Sequence, residues 1–209
     1  HGAPPRMAPN LGDDFLDFKA ESTHGTINWH AYIEGSWAIL FSHPNDFMPV
    51  CTTELGSVES LKDEFQRRGV KVAALSCNDV ESHEAWVKDI VAVNQCKGPG
   101  LHFPIIADPE RTIAHALGML DEKARDAADM PITCRAVYIV GPDKKLKLSL
   151  LYPASTGRNF GEERSASSTR SLQPTSRTPP PPSPSPCPSP SHSPCSRPHP
   201  HAGPPRARL

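Results

Sequence analysis

The sequence predicts an α/β fold over residues 8–160: a largely parallel sheet covered by helices. Two patterns support it. Apolar stretches of strand length alternate with amphipathic helical stretches, and two strand-like stretches around a turn close the region. Alternation of this kind is typical of a parallel sheet with helices on its faces, and a terminal hairpin adds an antiparallel edge. The composition changes abruptly after residue 160, so the chain of 209 residues is expected to hold one domain and an appendage.

The first predicted strand is SWAILFS at residues 36–42, a continuous apolar stretch that indicates a buried central strand. A helix is predicted to follow from near Cys51 and to end at Gly69. Its apolar face repeats at helical spacing, with Leu55, Val58, Leu61 and Phe65. The stretch VKVAALSC at residues 70–77 is the second predicted strand.

The second helix is expected to be capped by Asn78 or Asp79. Its apolar face carries Trp86, Ile90 and Val93. A short strand, FPII, follows at residues 103–106.

The third helix is predicted to begin with a cap at Asp108 and a first-turn proline at Pro109, and Gly118 is expected to stop it. RAVYIV at residues 135–140 and KLKLSLLY at residues 145–152 flank GPDK, which predicts a hairpin. The whole order favours a thioredoxin-like fold. A flavodoxin-like sheet fits the first half equally well, but not the terminal hairpin.

Charge and composition exclude several classes of function. The net charge is −1, so no charge bias indicates nucleic acid or a membrane surface as a partner. No stretch approaches the ~20 apolar residues of a membrane span, and the first residues lack the pattern of a secretory signal. We therefore expect a cytoplasmic protein. Its six cysteines are spread out without paired spacing, which indicates reduced thiols rather than a disulfide scaffold or a zinc site.

Residues 161–209 differ from the rest of the chain. Most of the 25 prolines lie there, in runs such as TPPPPSPSPCPSPS, and no acidic residue follows Glu163. Such a segment buries too little apolar surface to offset its ordering entropy, so a disordered tail with polyproline II character is expected. A ligand for a proline-recognising domain and a weak anion-binding arm are the functional alternatives to a simple solvated tail.

Cys51 occupies a position of chemical interest, where a buried strand gives way to a helix. The first turn of a helix presents unpaired N–H groups and the positive end of the helix dipole. This environment stabilises a thiolate and lowers the thiol pKa, which makes a cysteine nucleophilic. No second cysteine forms a CxxC motif with Cys51, as a disulfide exchanger would need. The pattern therefore suits attack on an O–O bond, alkylation or acyl transfer.

The segment PNDFMPVCTTELG resembles the active-site segment of peroxiredoxins, specifically of the one-cysteine, peroxiredoxin-6-like subfamily. Further matching segments follow in order: SWAILFSHP, HEAWVKDI, FPIIADPER, GMLDEKARD and MPITCRAVYIVGPDKKLKLSLLYPASTGRNF. The resemblance covers residues 8–160. It implies a thiol peroxidase that reduces hydrogen peroxide and organic or phospholipid hydroperoxides through a Cys51 sulfenic acid, as an antioxidant in cell redox homeostasis.

The resemblance also implies roles for other residues. Cys51 matches the peroxidatic cysteine, Pro44 the proline that shields the thiolate, and Arg135 the arginine that hydrogen-bonds thiolate and peroxide. The remaining matches in these segments are supporting residues: His43, which shares the thiolate pocket, Glu54 and Arg158.

Met48 departs from the family pattern, which has threonine or serine three residues before the cysteine. A thioether is only a weak hydrogen-bond acceptor and donates nothing. Loss of a charge-assisted hydrogen bond costs about 1.5–3 kcal/mol. If all of it is lost in the transition state, peroxide reduction slows by about 10- to 150-fold.

The C-terminal residues are a second departure. The family continues with a long helix and a small domain used in dimer contacts, whereas this chain has the Pro/Ser-rich tail. We expect lower stability and altered oligomerisation, because core and interface surface loses its cover.

Two other functions stay open at this stage. The resemblance extends to a calcium-independent phospholipase A2 activity, for which Ser36, His43 and Asp143 would be the matching residues, although the family's GDSWG reads EGSWA here. The third reading is a weakly active, truncated isoform that acts as a binding protein.

The resemblance implies an external reductant, glutathione or ascorbate, since none of the other cysteines matches a resolving cysteine. Cys187 or Cys195 could reach a sulfenic acid only by chance from the tail. A homodimer is possible. No cofactor, metal or nucleotide is expected, because the sequence holds neither a phosphate-cradling glycine loop nor a clustered ligand set.

Overall fold

The structure is a computed structural model, and it describes residues 8–158. The strands of this part are Lys19–Ala20 (β1), Ile27–Asn28 (β2), Trp37–Ser42 (β3), Val70–Ser76 (β4), Ile105–Ala107 (β5), Leu120–Arg125 (β6), Pro131–Thr133 (β7), Arg135–Val140 (β8) and Leu146–Tyr152 (β9). The helices are Trp29–Tyr32 (α1), Pro49–Ser60 (α2), Lys62–Arg67 (α3), Val80–Asn94 (α4) and Thr112–Ala116 (α5).

Five strands form the central sheet, in the order β5-β4-β3-β8-β9. Strands β3, β4 and β5 run parallel, β8 is antiparallel to β3, and β9 is antiparallel to β8. The α/β, thioredoxin-like prediction is therefore confirmed, including the antiparallel hairpin at one edge.

Strand β3 is the centre of the sheet and separates two hydrophobic cores. Ala38 and Leu40 face the first core, and Ile39 and Phe41 face the second. The alternation follows from the two-residue period of a strand. Because both faces are covered, every position of β3 after Trp37 is buried, which is why this strand reads as one continuous apolar stretch.

The helix after β3 is shorter than predicted. Instead of one helix to Gly69, the chain forms α2 and α3, separated at Leu61, whose φ of −93° and ψ of 5° interrupt the helical path. The break leaves Leu61 and Phe65 packed on the second core. Gly69 follows α3 with a φ of 63°, a conformation that glycine adopts without steric cost.

The third predicted helix also begins later than expected. Arg111, with a φ of 58°, precedes the first residue of α5, so Pro109 lies in a turn outside the helix. Asp108 lies outside α5 but still binds its first turn. Its carboxylate accepts the N–H of Ala114 at 2.7 Å and the hydroxyl of Thr112 at 3.2 Å. At α4 the prediction of Asp79 as the cap is confirmed by a bond from the N–H of Ser82.

Two regions of regular structure were not predicted. They are the N-terminal group β1, β2 and α1, and the antiparallel pair β6–β7. Most of these elements have two to four residues, too few for a period to show in the sequence.

The domain boundary at residue 160 stays a prediction, and the expected Pro/Ser-rich tail lies outside the described residues. Among residues 8–158, no helix has both the length and the apolar character needed to cross a membrane.

We expect Leu40→Ala to lower the free energy of unfolding by about 2–5 kcal/mol, because it empties fully buried volume at the centre of the sheet. Leu11→Ala is the matched control: Leu11 is 68% exposed, so its loss should change stability by no more than about 0.5 kcal/mol. Urea unfolding followed by circular dichroism measures both. Equal effects of the two substitutions would contradict the placement of β3.

Candidate active site

The candidate site lies where the loop after β3 enters α2. Pro49 is the first residue of α2, and Met48 before it has extended backbone and no side-chain cap. Cys51 follows in the first helical turn and is completely buried. The backbone of Asn45, in the loop before this turn, hydrogen-bonds to the Cys51 thiol. This is the position at the start of a helix that the sequence predicts for Cys51.

Arg135 reaches the same thiol from the first position of β8. Its Nη1 donates to the Cys51 Sγ at 3.3 Å and to the Glu54 Oε2 at 2.8 Å. Its Nε donates to the carbonyl of Ala154 at 2.9 Å. The guanidinium is thus fixed at three points, with one N–H edge against sulfur.

Glu54 connects Arg135 with a second buried arginine. The backbone N–H of Arg158 donates to Glu54 Oε1 at 2.7 Å, and its Nη2 donates to Oε2 at 2.9 Å. Arg158 also donates to the carbonyl of Ala136 and lies over the ring of Phe41. One carboxylate therefore holds two guanidinium groups. The sequence named Arg135 for the thiolate and Glu54 and Arg158 as supporting residues, but it could not show that the three are paired.

The pKa of Cys51 differs from the sequence-based expectation. Burial is the largest influence and raises the pKa of the thiol, whereas the charge and hydrogen bond of Arg135 lower it. The net direction in this structure is upward. The fall in the pKa of Cys51 that was expected from its position at a helix start is therefore wrong, because the thiol is also buried and burial disfavours the charged thiolate.

His43 belongs to a cluster that the sequence did not reveal. Its Nε2 lies 2.9 Å from Asp46 Oδ1, and His83 Nδ1 lies 2.8 Å from Oδ2 of the same carboxylate. All three residues are buried, and their ligand atoms lie within 4.8 Å of one another, a spacing that a metal ion can also use. His83 comes from α4, far along the chain, so no local spacing predicts the cluster.

Trp86 joins this cluster to the thiol. Its ring centroid lies 4.9 Å from that of His43, and its Nε1 donates to the hydroxyl of Thr52 at 3.1 Å. Thr52 is the neighbour of Cys51. Trp86 is completely buried, as expected for a residue on the apolar face of this helix.

The other residues next to Cys51 differ in their exposure. Pro44 is buried, and Met48 is partly buried against the second core. Phe47 and Val50 are exposed apolar side chains next to the site. Phe47 has a φ of 60°, which is uncommon for a residue with a side chain and holds it outward.

The residues named for the phospholipase are not brought together. Ser36 precedes β3 and His43 follows it, so the two lie about 20 Å apart at roughly 3.3 Å per residue. The Ser36 hydroxyl donates to the carbonyl of Glu34, and Asp143 binds Lys147. A nucleophile and its base need hydrogen-bond distance. This set therefore forms no hydrolytic triad.

The remaining described cysteines are free thiols. Burial raises the pKa of Cys77 and of Cys134 to about 11, and it also raises the pKa of Cys96. Cys77 and Cys134 pack with the first core, on the opposite face of the sheet from Cys51. Cys187 and Cys195 lie outside the described residues.

Comparison with known proteins agrees with this geometry. Residues 11–149 match the model of the AhpC/TSA family. The chain is 56% identical to peroxiredoxin-6 of Gallus gallus over 153 residues, which cover 73% of this chain and 68% of that protein. It is also 56% identical to peroxiredoxin-6 of Homo sapiens over 154 residues, with the same two shares.

Solved structures give the same result. A cysteine-to-serine mutant of the peroxiredoxin 6 of Arenicola marina is 51% identical, with a TM-score of 0.73, and the match covers 76% of this chain and 71% of that one. A yeast mitochondrial 1-Cys peroxiredoxin is 41% identical, with a TM-score of 0.67, over 74% of this chain and 73% of that one.

The chain belongs to the AhpC/TSA family of thiol peroxidases. Within it, the chain is a peroxiredoxin of the one-cysteine, peroxiredoxin-6-like type, as the sequence predicted. It is an oxidoreductase that reduces hydroperoxides through a thiol.

We expect Arg135→Gln to raise the pKa of Cys51 by about 1–2 units, because a charge-assisted hydrogen bond of about 1.5–3 kcal/mol is lost from the thiolate. The rate of alkylation of Cys51 by iodoacetamide against pH, read by peptide mass spectrometry, gives the midpoint. Arg125→Gln removes an exposed arginine and should leave the midpoint in place. An unchanged midpoint in both variants would exclude Arg135 as the thiolate's counter-charge.

Proposed function

We propose that Cys51 is the peroxidatic residue of this peroxidase. The thiolate sulfur attacks the terminal oxygen of a hydroperoxide, so an S–O bond forms while the O–O bond breaks. The leaving oxygen departs as hydroxide or alkoxide and takes up a proton, giving water or an alcohol. Cys51 remains as a sulfenic acid. The substrates are hydrogen peroxide and organic or phospholipid hydroperoxides.

One observation carries this assignment: the Arg135 Nη1 lies 3.3 Å from the Cys51 Sγ while Glu54 and Ala154 fix the rest of the guanidinium. A fixed positive group beside the sulfur stabilises the thiolate. It also stabilises the negative charge that develops on the peroxide oxygens as the bond breaks. Arg135 needs no rearrangement for either task, since its position is set before substrate arrives.

The other site residues act around this pair. Pro44 and His43 are buried residues of the loop before Cys51, and their proposed role is to shield the thiolate from bulk water. Glu54 and Arg158 hold Arg135 in place. The exposed apolar side chains of Phe47 and Val50 suit an organic group of the substrate outside the pocket.

We propose that an external thiol reduces the sulfenic acid, with glutathione as the reductant. Cys77 and Cys134 support this, because they pack on the other face of the sheet and have raised pKa values. The yeast 1-Cys peroxiredoxin is described as resolved via glutathione/thioredoxin systems, which supports the same chemistry here.

We further propose a cytoplasmic protein that forms a homodimer. The outer edge of β9 supports self-association, because β9 is the last strand of the sheet and its Leu151 is an exposed large apolar side chain.

The test of this function is mass spectrometry after one equivalent of hydrogen peroxide, with a sulfenic-acid trap and peptide mapping. Rapid, selective labelling of Cys51 is expected, and Cys51→Ser should abolish it. Slow labelling spread over all six cysteines would show that the pocket does not activate Cys51.

We expect Met48→Thr to accelerate oxidation of Cys51 by about 10- to 150-fold, since a hydroxyl there adds a charge-assisted hydrogen bond of about 1.5–3 kcal/mol. Stopped-flow measurement with hydrogen peroxide gives the rate. Met130→Thr changes an exposed methionine elsewhere and should have no effect. Equal rates for the native chain and Met48→Thr would mean that position 48 needs no hydroxyl here.

A further inference from the structure

Two buried ring nitrogens of the histidine cluster have no hydrogen-bond partner. They are His43 Nδ1 and His83 Nε2. Their opposite ring nitrogens both point at Asp46, which also accepts the hydroxyl of Ser82 at 2.7 Å. A buried polar atom without a partner is costly, so such an atom near a reactive site calls for a functional explanation.

The carboxylate fixes the protonation of the two rings. Burial alone would raise the pKa of Asp46, but the hydrogen bonds from His43 and His83 outweigh it and hold the pKa below its ordinary value. An ionised carboxylate only accepts hydrogen bonds. His43 Nε2 and His83 Nδ1 must therefore carry the hydrogens. Since burial lowers the pKa of His43 and keeps the ring neutral, its Nδ1 is left as a bare acceptor.

The His43 ring is linked to the thiol site through three of its neighbours. His43 lies two residues before Asn45, whose backbone binds the Cys51 thiol. The charge of Arg158, from the network that holds Arg135, acts on the His43 ring. The ring also packs on Trp86, which binds the neighbour of Cys51.

A hydroperoxide needs an acceptor at this site. The groups that bind the Cys51 sulfur, Arg135 and the backbone of Asn45, are both donors. Met48 precedes the helix and makes no side-chain cap, and its thioether is only a weak acceptor. The unpartnered Nδ1 of His43 is an acceptor that could take the O–H of a bound peroxide.

We propose that Asp46 and His83 are positioning residues for peroxide reduction: they hold His43 in the tautomer whose Nδ1 accepts the O–H of a hydroperoxide bound at Cys51. His83 orients Asp46, and Asp46 orients His43. The hydrogen bond directs the terminal oxygen toward the sulfur, and the bonds made and broken are those of the proposed peroxidase reaction, on which this inference rests.

The test compares two reactions of the same sulfur in the full chain. Oxidation of Cys51 by hydrogen peroxide needs the acceptor, whereas alkylation by iodoacetamide needs only the thiolate. We expect Asp46→Asn to lower the oxidation rate about tenfold, the effect of one hydrogen bond, and to leave alkylation within about twofold. An amide cannot accept from both rings, so it breaks the tautomer lock.

His83 supplies an independent pair of variants. His83→Asn keeps an N–H donor near the position of Nδ1 and should retain the native ratio of oxidation to alkylation. His83→Leu removes the donor and should lower the ratio. This pair tests the inference even if circular dichroism shows that Asp46→Asn does not fold.

His102→Leu is the matched control. His102 Nδ1 lies 2.7 Å from the buried carboxylate of Glu59, and its Nε2 is also without a partner, so it repeats the His83 arrangement away from the thiol. Its loss should leave the ratio unchanged.

Three results would overturn the inference: an unchanged ratio of oxidation to alkylation in Asp46→Asn, no difference between His83→Leu and His83→Asn, or the same ratio change in His102→Leu. Failure of the proposed function looks different, because native Cys51 would then react with peroxide no faster than the other cysteines.

Discussion

The buried carboxylate of Glu54 is the group on which the site depends. It is nearly inaccessible to water and binds Arg135 and Arg158, which are equally buried. Removing one member of a buried ion network leaves an uncompensated charge, which costs several kcal/mol. The three residues come from α2, the start of β8 and the segment after β9, so the network also ties three distant parts of the chain together at the thiol. The bonds that hold Arg135 beside the thiol are therefore the same bonds that join these three parts of the chain.

Hydrogen bonds at the end of β3 hold these groups close together. The Ser42 hydroxyl donates to the carbonyl of Cys134 at 2.7 Å and accepts the N–H of Ala136 at 3.0 Å. The Thr133 hydroxyl donates to the carbonyl of His43 at 2.6 Å. These bonds continue the pairing of β3 with β8 beyond the regular ladder. They fix the loop that carries His43 beside the strand that carries Arg135, and so the loop after β3 is positioned although it lacks regular structure.

The sequence predicts those parts of the molecule that have a long local period or a family motif. Strands β3, β4, β8 and β9 and helix α4 have one or the other, and so does the position of Cys51 at a helix start. The break at Leu61 and the late start of α5 were not predicted: Asp108 was expected directly before the helix, whereas its carboxylate binds the N–H of Ala114 across the turn that contains Pro109. The cluster of His43, Asp46 and His83 needs a contact across 37 positions of sequence. The raised pKa of Cys51 was missed because a helix terminus indicates charge stabilisation but says nothing about burial.

Burial and charge act against each other at Cys51, and their balance has a consequence for the whole reaction cycle. Two guanidinium groups face one carboxylate, so the buried cluster is neutral only when Cys51 is a thiolate. Desolvation opposes ionisation of the sulfur, while the unbalanced positive charge of the cluster favours it. In the proposed reaction the sulfur becomes a neutral sulfenic acid, and the cluster then again has an excess positive charge. If an external thiol reduces this acid as proposed, its thiolate form restores neutrality, so the charge that stabilises the Cys51 thiolate also favours an anionic thiol as the reductant.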